Sequence, residues 1–302
     1  LTMSKSCVRR PFPNAEEDAR SAKLYAPSPQ TESSAYQLAY LDQDFLLSDE
    51  LRPVRLQLEL LKPELLQQAA GIEHTIVVFG SARIPDPETA GECCEELRQA
   101  LAAAPDDESL SARYAAARRA VANSRYYTQA REFTRLLSER CIRREEPRFV
   151  VITGGGPGIM EAANRGAHEA GQESIGLNIV LPMEQAPNPY VTPELCFQFH
   201  YFAIRKMHFL LRARALVAFP GGFGTFDELF EALTLIQTGK VKPLPILLFG
   251  REFWKKTVSF EALVEEGMIS EEDLQLFHYV ETAEEACNYL FQFYRDEIES
   301  PR

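Results

Sequence analysis

The stretch Ala215-Leu216-Val217-Ala218-Phe219-Pro220-Gly221-Gly222-Phe223-Gly224-Thr225-Phe226-Asp227-Glu228 decides how this sequence is read. Its first five residues are apolar and read as a buried strand, which Pro220 ends. Gly221, Gly222 and Gly224 follow. They can take φ > 0 and let a ligand approach the backbone closely. An amphipathic helix comes next, with Phe226, Leu229, Phe230, Leu233 and Ile236 on one face and an end near Gly239. A helix start offers unpaired N–H groups and the positive end of its dipole, which together suit a phosphate. Asp227 and Glu228 sit beside that start.

Working outward, the same order of strand, glycine turn and helix recurs. The run 148–153 reads as a buried strand, followed by Gly154-Gly155-Gly156-Pro157-Gly158-Ile159-Met160-Glu161 and a helix reaching Gly171. This turn is neither G-x-G-x-x-G nor a P-loop, since it lacks the Lys-Ser/Thr pair. A third apolar run, 75–79, leads into Gly80-Ser81-Ala82-Arg83. Ligands of open parallel sheets bind beyond the strands' carboxyl ends, so Gly80 and Ser81 are candidate contacts. On its own that turn is an ordinary βα connection. Further strands are expected at 174–181, 195–199, 245–249 and 279–280. Helices are expected over 86–147, 202–211, 252–266, 270–277 and 283–298. This alternation predicts an α/β fold, a doubly wound parallel sheet in a single domain with an N-terminal helical extension.

The organisation expected is a flexible arm over 1–35, a helical lead-in over 36–74, and a core domain over 75–302. In the lead-in, Pro53 lies near a first turn and Pro63 opens a second short helix. The core carries an Arg-rich helical insertion at about 105–147. From Arg113 to Arg148 there are ten Arg and four Glu in an otherwise acidic chain. A solvated face of snorkelling arginines accounts for them better than a basic wall that attracts an anion or an acidic partner.

Composition narrows the function classes. Net charge is −12 and the sequence pI about 5.1, which argues against binding a nucleic-acid polymer. A mononucleotide needs only local donors and stays open. The six cysteines (7, 93, 94, 141, 196 and 287) fit no zinc or C-x-x-C pattern. Scattered thiols point to a reducing, cytoplasmic setting. There is no run of eighteen apolar residues, so no membrane span is expected. Residues 1–13 lack the apolar core of a secretory signal, and Met3 is a candidate start. His200 and His208 have no metal-ligand spacing with a carboxylate, so no metal is expected.

The glycine turns together suggest a mononucleotide-sized site, one turn for the phosphate and the other for sugar or base. The acidic residue that grips a dinucleotide ribose about twenty residues on is missing. Glu228 has two competing readings. Thr225-x-x-Glu228 matches a capping box with Thr225 at the N-cap, and Glu228 is equally placed to hold a substrate. Arg205 reads as a salt-bridging surface residue or a site residue, and Asp227 as a complement to the helix dipole. Met160 suits core packing or the face of a planar base.

The two glycine motifs, 154–161 and Pro220-Gly221-Gly222-Phe223-Gly224-Thr225-Phe226-Asp227-Glu228, resemble those of the LOG (Lonely Guy) phosphoribohydrolases. That Rossmann-like family includes members described as possible lysine decarboxylases. The resemblance covers residues 75–290, and Arg205-Lys206 matches the family's Arg-Lys pair. It implies hydrolysis of the N-glycosidic bond of nucleoside 5′-monophosphates, AMP, cytokinin ribotides or both, to free base and ribose 5-phosphate. It implies that Arg205 and Glu228 are the catalytic pair. It further implies that Gly221, Gly222, Gly224 and Thr225 cradle the phosphate; Gly80, Ser81, Gly154, Gly155, Gly156, Gly158 and Met160, placed by the reading of the turns, complete the expected substrate site. No cofactor is required, and a homodimer or larger homo-oligomer is expected. Met207-His208 directly after the pair displaces the Met of short members. The N-terminal extension and the Arg-rich helical insertion place the chain among long members and make a broader purine-monophosphate nucleosidase as fitting as a cytokinin enzyme. The rival from another class is a nucleotide-binding sensor without turnover. Lysine decarboxylation ranks below both, since the chain has eight lysines and only Lys206 stands near such a site.

Overall fold

The computed structural model describes residues 12–22, 25–142, 148–182 and 186–299, and divides into two compact units, Leu1–Glu59 and Leu60–Arg302. In the first unit, helix α1 (Ala15–Ser21) lies within the stretch expected as a flexible arm. Asn14 makes it a helix: its side chain accepts from the Glu16 and Glu17 N–H groups, and Glu17 reaches back to the Asn14 N–H. Residues 1–11, 23 and 24 of that arm lie outside the described residues. Helix α2 (Gln43–Leu47) starts at an Asp42 cap. Helix α3 (Arg52–Ala69) runs unbroken through Pro63, which was expected to open a separate helix. A proline there forfeits one backbone hydrogen bond, and burial of the Pro63 ring offsets that loss.

The second unit runs β1 (His74–Phe79), α4 (Pro87–Ala103), α5 (Glu108–Ile142), β2 (Phe149–Thr153), α6 (Ile159–Glu169), β3 (Ser174–Ile179), β4 (Cys196–Phe199), α7 (Phe202–Leu211), β5 (Ala213–Ala218), α8 (Phe223–Gln237), β6 (Ile246–Phe249), α9 (Arg251–Thr257), α10 (Phe260–Glu265), β7 (His278–Val280) and α11 (Ala283–Glu299). The seven strands form one parallel sheet in the order β4-β3-β2-β1-β5-β6-β7. The fold is therefore α/β and doubly wound, as the alternation of apolar runs predicted. The central strands are apolar throughout because both faces are covered. Ile76 and Val78 pack with residues of α5, α6 and α11, while Val77 and Phe79 pack on the other face with residues of α7, α8 and α9.

Three local expectations change. The Arg-rich stretch is an integral sheet-covering helix: Tyr126, Ala130, Phe133 and Leu137 of α5 form a buried stripe at helical spacing. Its arginines occupy the remaining faces, several in ion pairs such as Arg131–Glu169 and Arg135–Glu132. Residues 143–147 lie outside the described residues. The helix expected over 252–266 is two, α9 and α10, separated where Ser259 caps the second. The segment 270–277 is a 3-10 turn (Glu271–Gln275).

Chain direction across the sheet reverses at β1. The path runs outward through β2, β3 and β4, returns to place β5 on the other side of β1, and then continues to β6 and β7. Crossover loops on the two sides diverge at such a point and leave a crevice at the strands' carboxyl ends. Gly80, Ser81 and Pro220 to Gly224 follow the two strands that flank it.

Candidate functional site

Three loops meet above the crevice, and backbone hydrogen bonds stitch them together. The Phe219 N–H donates to the Phe79 carbonyl (2.8 Å), the Ser81 N–H to the Pro220 carbonyl (3.0 Å), and the Ile159 N–H to the Ser81 carbonyl (3.1 Å). The close approach requires Gly158. Its φ of 71° and ψ of −128° suit glycine alone, and a Cβ there would lie 2.4 Å from the Ser81 carbonyl oxygen. The Gly154–Gly158 turn is held from beneath by a buried amide cluster. Asn164 accepts from Thr153 Oγ1 (2.7 Å) and donates to Ser174 Oγ (3.0 Å). Asn188 Nδ2 donates to the carbonyls of Gly155 (3.1 Å) and Gly156 (3.0 Å) and to Asn164 Oδ1 (3.0 Å).

A cleft of about 1030 Å3 opens over these loops. Of the residues expected at the site, Gly80, Ser81, Gly154, Met160, Arg205, Gly221, Gly222, Gly224, Thr225 and Glu228 line it. Gly155, Gly156 and Gly158 are not among its lining; they shape the turn from behind. Met160 lies across that turn, with Sδ 2.8 Å from where a Gly154 Cβ would stand and Cε 2.9 Å from the same position at Gly156. Its thioether is thereby presented to the cleft. Apolar walls come from Phe79, Ile84, Phe209, Phe226 and Phe253.

The capping-box reading of Glu228 is overturned. Gly222 is the N-cap of α8, with no side-chain cap, and the Phe226 N–H donates to its carbonyl (3.1 Å). Thr225 is thus three residues inside the helix and Glu228 is in its second turn. The glycines are also used differently from the expectation: none of Gly221, Gly222 and Gly224 has a positive φ. Gly221 is required by packing, because a Cβ there would stand 2.1 Å from Thr225 Oγ1. Gly221, Gly222, Gly224 and Thr225, at the turn and the start of α8, therefore border the cleft.

Glu228 is 7% exposed. Burial pushes its carboxyl up to about 7, against the pull of Arg205 and Lys206, and the nearby Glu231 and Asp227 push the same way as burial. Arg205 Nη2 stands 3.8 Å from Glu228 Oε1. The Arg205 guanidinium also lies over the rings of Phe202 (4.9 Å) and Phe209 (5.7 Å), which fixes its plane. Lys206 points elsewhere, to Asp227 (3.0 Å) and Glu231 (3.2 Å), tying α7 to α8. Burial acts to lower its pKa, but those two carboxylates outweigh burial and hold it raised. Asp227 is therefore an ion-pair partner rather than a complement to the helix dipole.

Sequence reasoning passed over Arg83, Asn123 and Thr257, which also line the cleft. Arg83 follows the Gly80-Ser81 turn directly and could have been found there. Asn123 arrives from α5 and Thr257 from the end of α9, and nothing local marks either. Among the described residues no cluster of three or more His, Cys, Asp or Glu is placed to hold a metal, and no helix is long and apolar enough to cross a membrane.

Residues 160–290 match the family model described as "Possible lysine decarboxylase". The cytokinin riboside 5′-monophosphate phosphoribohydrolase LOG of Oryza sativa subsp. japonica is 31% identical over 139 residues, 45% of this chain and 56% of that protein. An Arabidopsis thaliana enzyme of the same description is 28% identical over 148 residues, 48% of this chain and 67% of that protein. The chain thus spans between about half and two thirds of the length of these relatives. Among solved structures, the molybdenum cofactor carrier protein of Chlamydomonas reinhardtii is 19% identical, with a TM-score of 0.44 over 74% of this chain and 99% of that one. The glycine motifs and the Arg205–Glu228 pair thus stand in a chain whose residues 160–290 match that family model and which is similar in sequence to the LOG phosphoribohydrolases.

Proposed function

We propose that this protein hydrolyses the N-glycosidic bond of nucleoside 5′-monophosphates, releasing the free base and ribose 5-phosphate. The observation that carries the reading is a buried carboxylate, Glu228, paired at 3.8 Å with Arg205 in a cleft whose floor is a helix N-terminus. A 5′-phosphate accepts hydrogen bonds from the N–H groups at the start of α8. The ribose then lies towards Glu228, one helical turn further on, and the base lies against Met160 and the aromatic wall. As the bond from C1′ to the base nitrogen breaks, positive charge spreads over C1′ and the ring oxygen. The Glu228 carboxylate stabilises that charge and holds ribose hydroxyls. Water adds to C1′, the base leaves with the bonding electron pair, and the proton released by the water goes to the base. Arg205 favours the ionised form of Glu228 against burial and orients the carboxylate.

AMP and cytokinin ribotides both fit this chemistry, and the relatives' names favour the second. The family's printed description suggests a different reaction. Pyridoxal chemistry needs a lysine that can lose its proton, whereas Lys206 is held charged by Asp227 and Glu231. The proposal extends to a homo-oligomer in the cytoplasm: Phe223, at the cleft mouth, is 97% exposed, and Phe230 adds apolar surface on the same helix.

The test is incubation with AMP and with an isopentenyl-adenine ribotide, with free base quantified by chromatography and Glu228→Gln as control. Release that the substitution abolishes supports a hydrolase, and the ratio of the two rates assigns the substrate. Tight AMP binding without release would make the protein a nucleotide sensor instead.

A further inference from the structure

The nucleotide reading leaves one electrostatic demand unmet. A 5′-phosphate carries close to two negative charges at neutral pH, the protein has a net charge of −12, and the cradle at Gly221–Gly224 supplies only N–H dipoles. Thr225, buried in that turn, is neutral. Of the charged side chains that line the cleft, Arg205 faces Glu228 at 3.8 Å and shares its charge with that carboxyl. Lys206 is committed to Asp227 and Glu231.

Resting on that reading, we infer that Arg83 supplies the countercharge to the phosphate. Arg83 lines the same cleft as Gly221, Gly222 and Gly224. Its backbone is anchored beside them, since its N–H donates to Ser81 Oγ (3.0 Å) and the Ser81 N–H donates to the carbonyl of Pro220, the residue before Gly221. Among the described residues its guanidinium makes no ion pair with a carboxylate, so the charge is uncommitted. A planar fork of N–H donors matches phosphate oxygens, and a charged clamp on one side complements the N–H dipoles on the other. Arg83 is thus a specificity-determining residue that selects the phosphorylated nucleoside over the free one.

The experiment compares AMP and adenosine as ligands by calorimetry for the wild type, Arg83→Gln and Arg83→Lys. Arg83 is exposed, so both variants are expected to fold with unchanged circular dichroism. Loss of one charged contact weakens AMP binding by about 10- to 100-fold in Arg83→Gln, leaves adenosine within about twofold, and is partly restored in Arg83→Lys. Equal losses for both ligands, no loss for AMP, or a wild type that fails to prefer AMP would overturn the inference. Adenine release from AMP is followed in parallel. Wild-type protein that discriminates through Arg83 yet releases no adenine would sink the hydrolase reading and leave this one standing.

Discussion

Arg205 Nη2 and Glu228 Oε1 stand 3.8 Å apart, close enough to attract strongly and too far for a hydrogen bond. The gap explains why the Glu228 carboxyl titrates near 7 although a cation faces it: burial outweighs the guanidinium. The pair is an acid poised at the pH of the cell. If Glu228 works as a carboxylate, base release should rise with pH through about 7, with a slope of one proton. Arg205→Ala removes the group that favours ionisation, so the limb should move to higher pH as well as lower the plateau. A pH profile of kcat/KM for both proteins checks this, and an unmoved limb in the variant would assign the titration to another group.

The same carboxyl makes stability depend on pH with a definite sign. Its native pKa, about 7, lies above the ordinary 4.5, so the folded state keeps a proton that the unfolded chain has released between those values. Stability is therefore fully present below about 4.5 and is lost as pH rises towards 7. Glu228→Gln cannot ionise and should escape that loss. The variant gains on the wild type by ~3 kcal/mol at most between pH 5 and 8. Urea melts at the two pH values measure the difference, and parallel curves would show that Glu228 is ionised throughout.

Gly158→Ala should be severely destabilising. The new Cβ meets the Ser81 carbonyl and the Ala82 backbone, neither of which can swing aside, at a φ and ψ that alanine avoids. A cost of roughly 3 kcal/mol or more is expected, with loss of the cleft geometry. Thermal melting reads the first, and AMP binding the second.

Much of this arrangement is written in local sequence. Phe149 to Ile152 and Ala215 to Phe219 are apolar without interruption, which only strands covered on both faces require. The glycine turns announce themselves at the strand ends. What was hidden depends on residues far apart in the chain. Tyr126, Ala130, Phe133 and Leu137 form a plain helical stripe, masked by the arginines between them. The start of α8 was misplaced because Thr225 and Glu228 carry a capping signature, yet Gly222, which carries none, starts the helix. Asn188 sits in a loop 32 residues from the Gly156 carbonyl it binds, and no periodicity points to it.

That amide cluster yields the last prediction. Asn164 is fully buried, and its two polar atoms serve Thr153, Ser174 and Asn188 at once. Asn164→Leu keeps the volume but leaves the buried Thr153 hydroxyl without its acceptor and takes one partner each from Ser174 and Asn188. Each buried unsatisfied group costs about 1–3 kcal/mol, and partial relaxation leaves a total of roughly 3 kcal/mol. Because Asn188 bridges Asn164 to the Gly155 and Gly156 carbonyls, the damage should also reach the cleft: the Gly154–Gly158 turn loosens and Met160 loses its fixed place. Affinity for adenosine, which reads the base pocket, should therefore fall in Asn164→Leu, whereas affinity for inorganic phosphate, which reads the start of α8, should hold. Calorimetry with the two ligands on folded variant separates these effects. Equal losses for both would mean that the cluster supports the fold as a whole and has no particular hold on the turn.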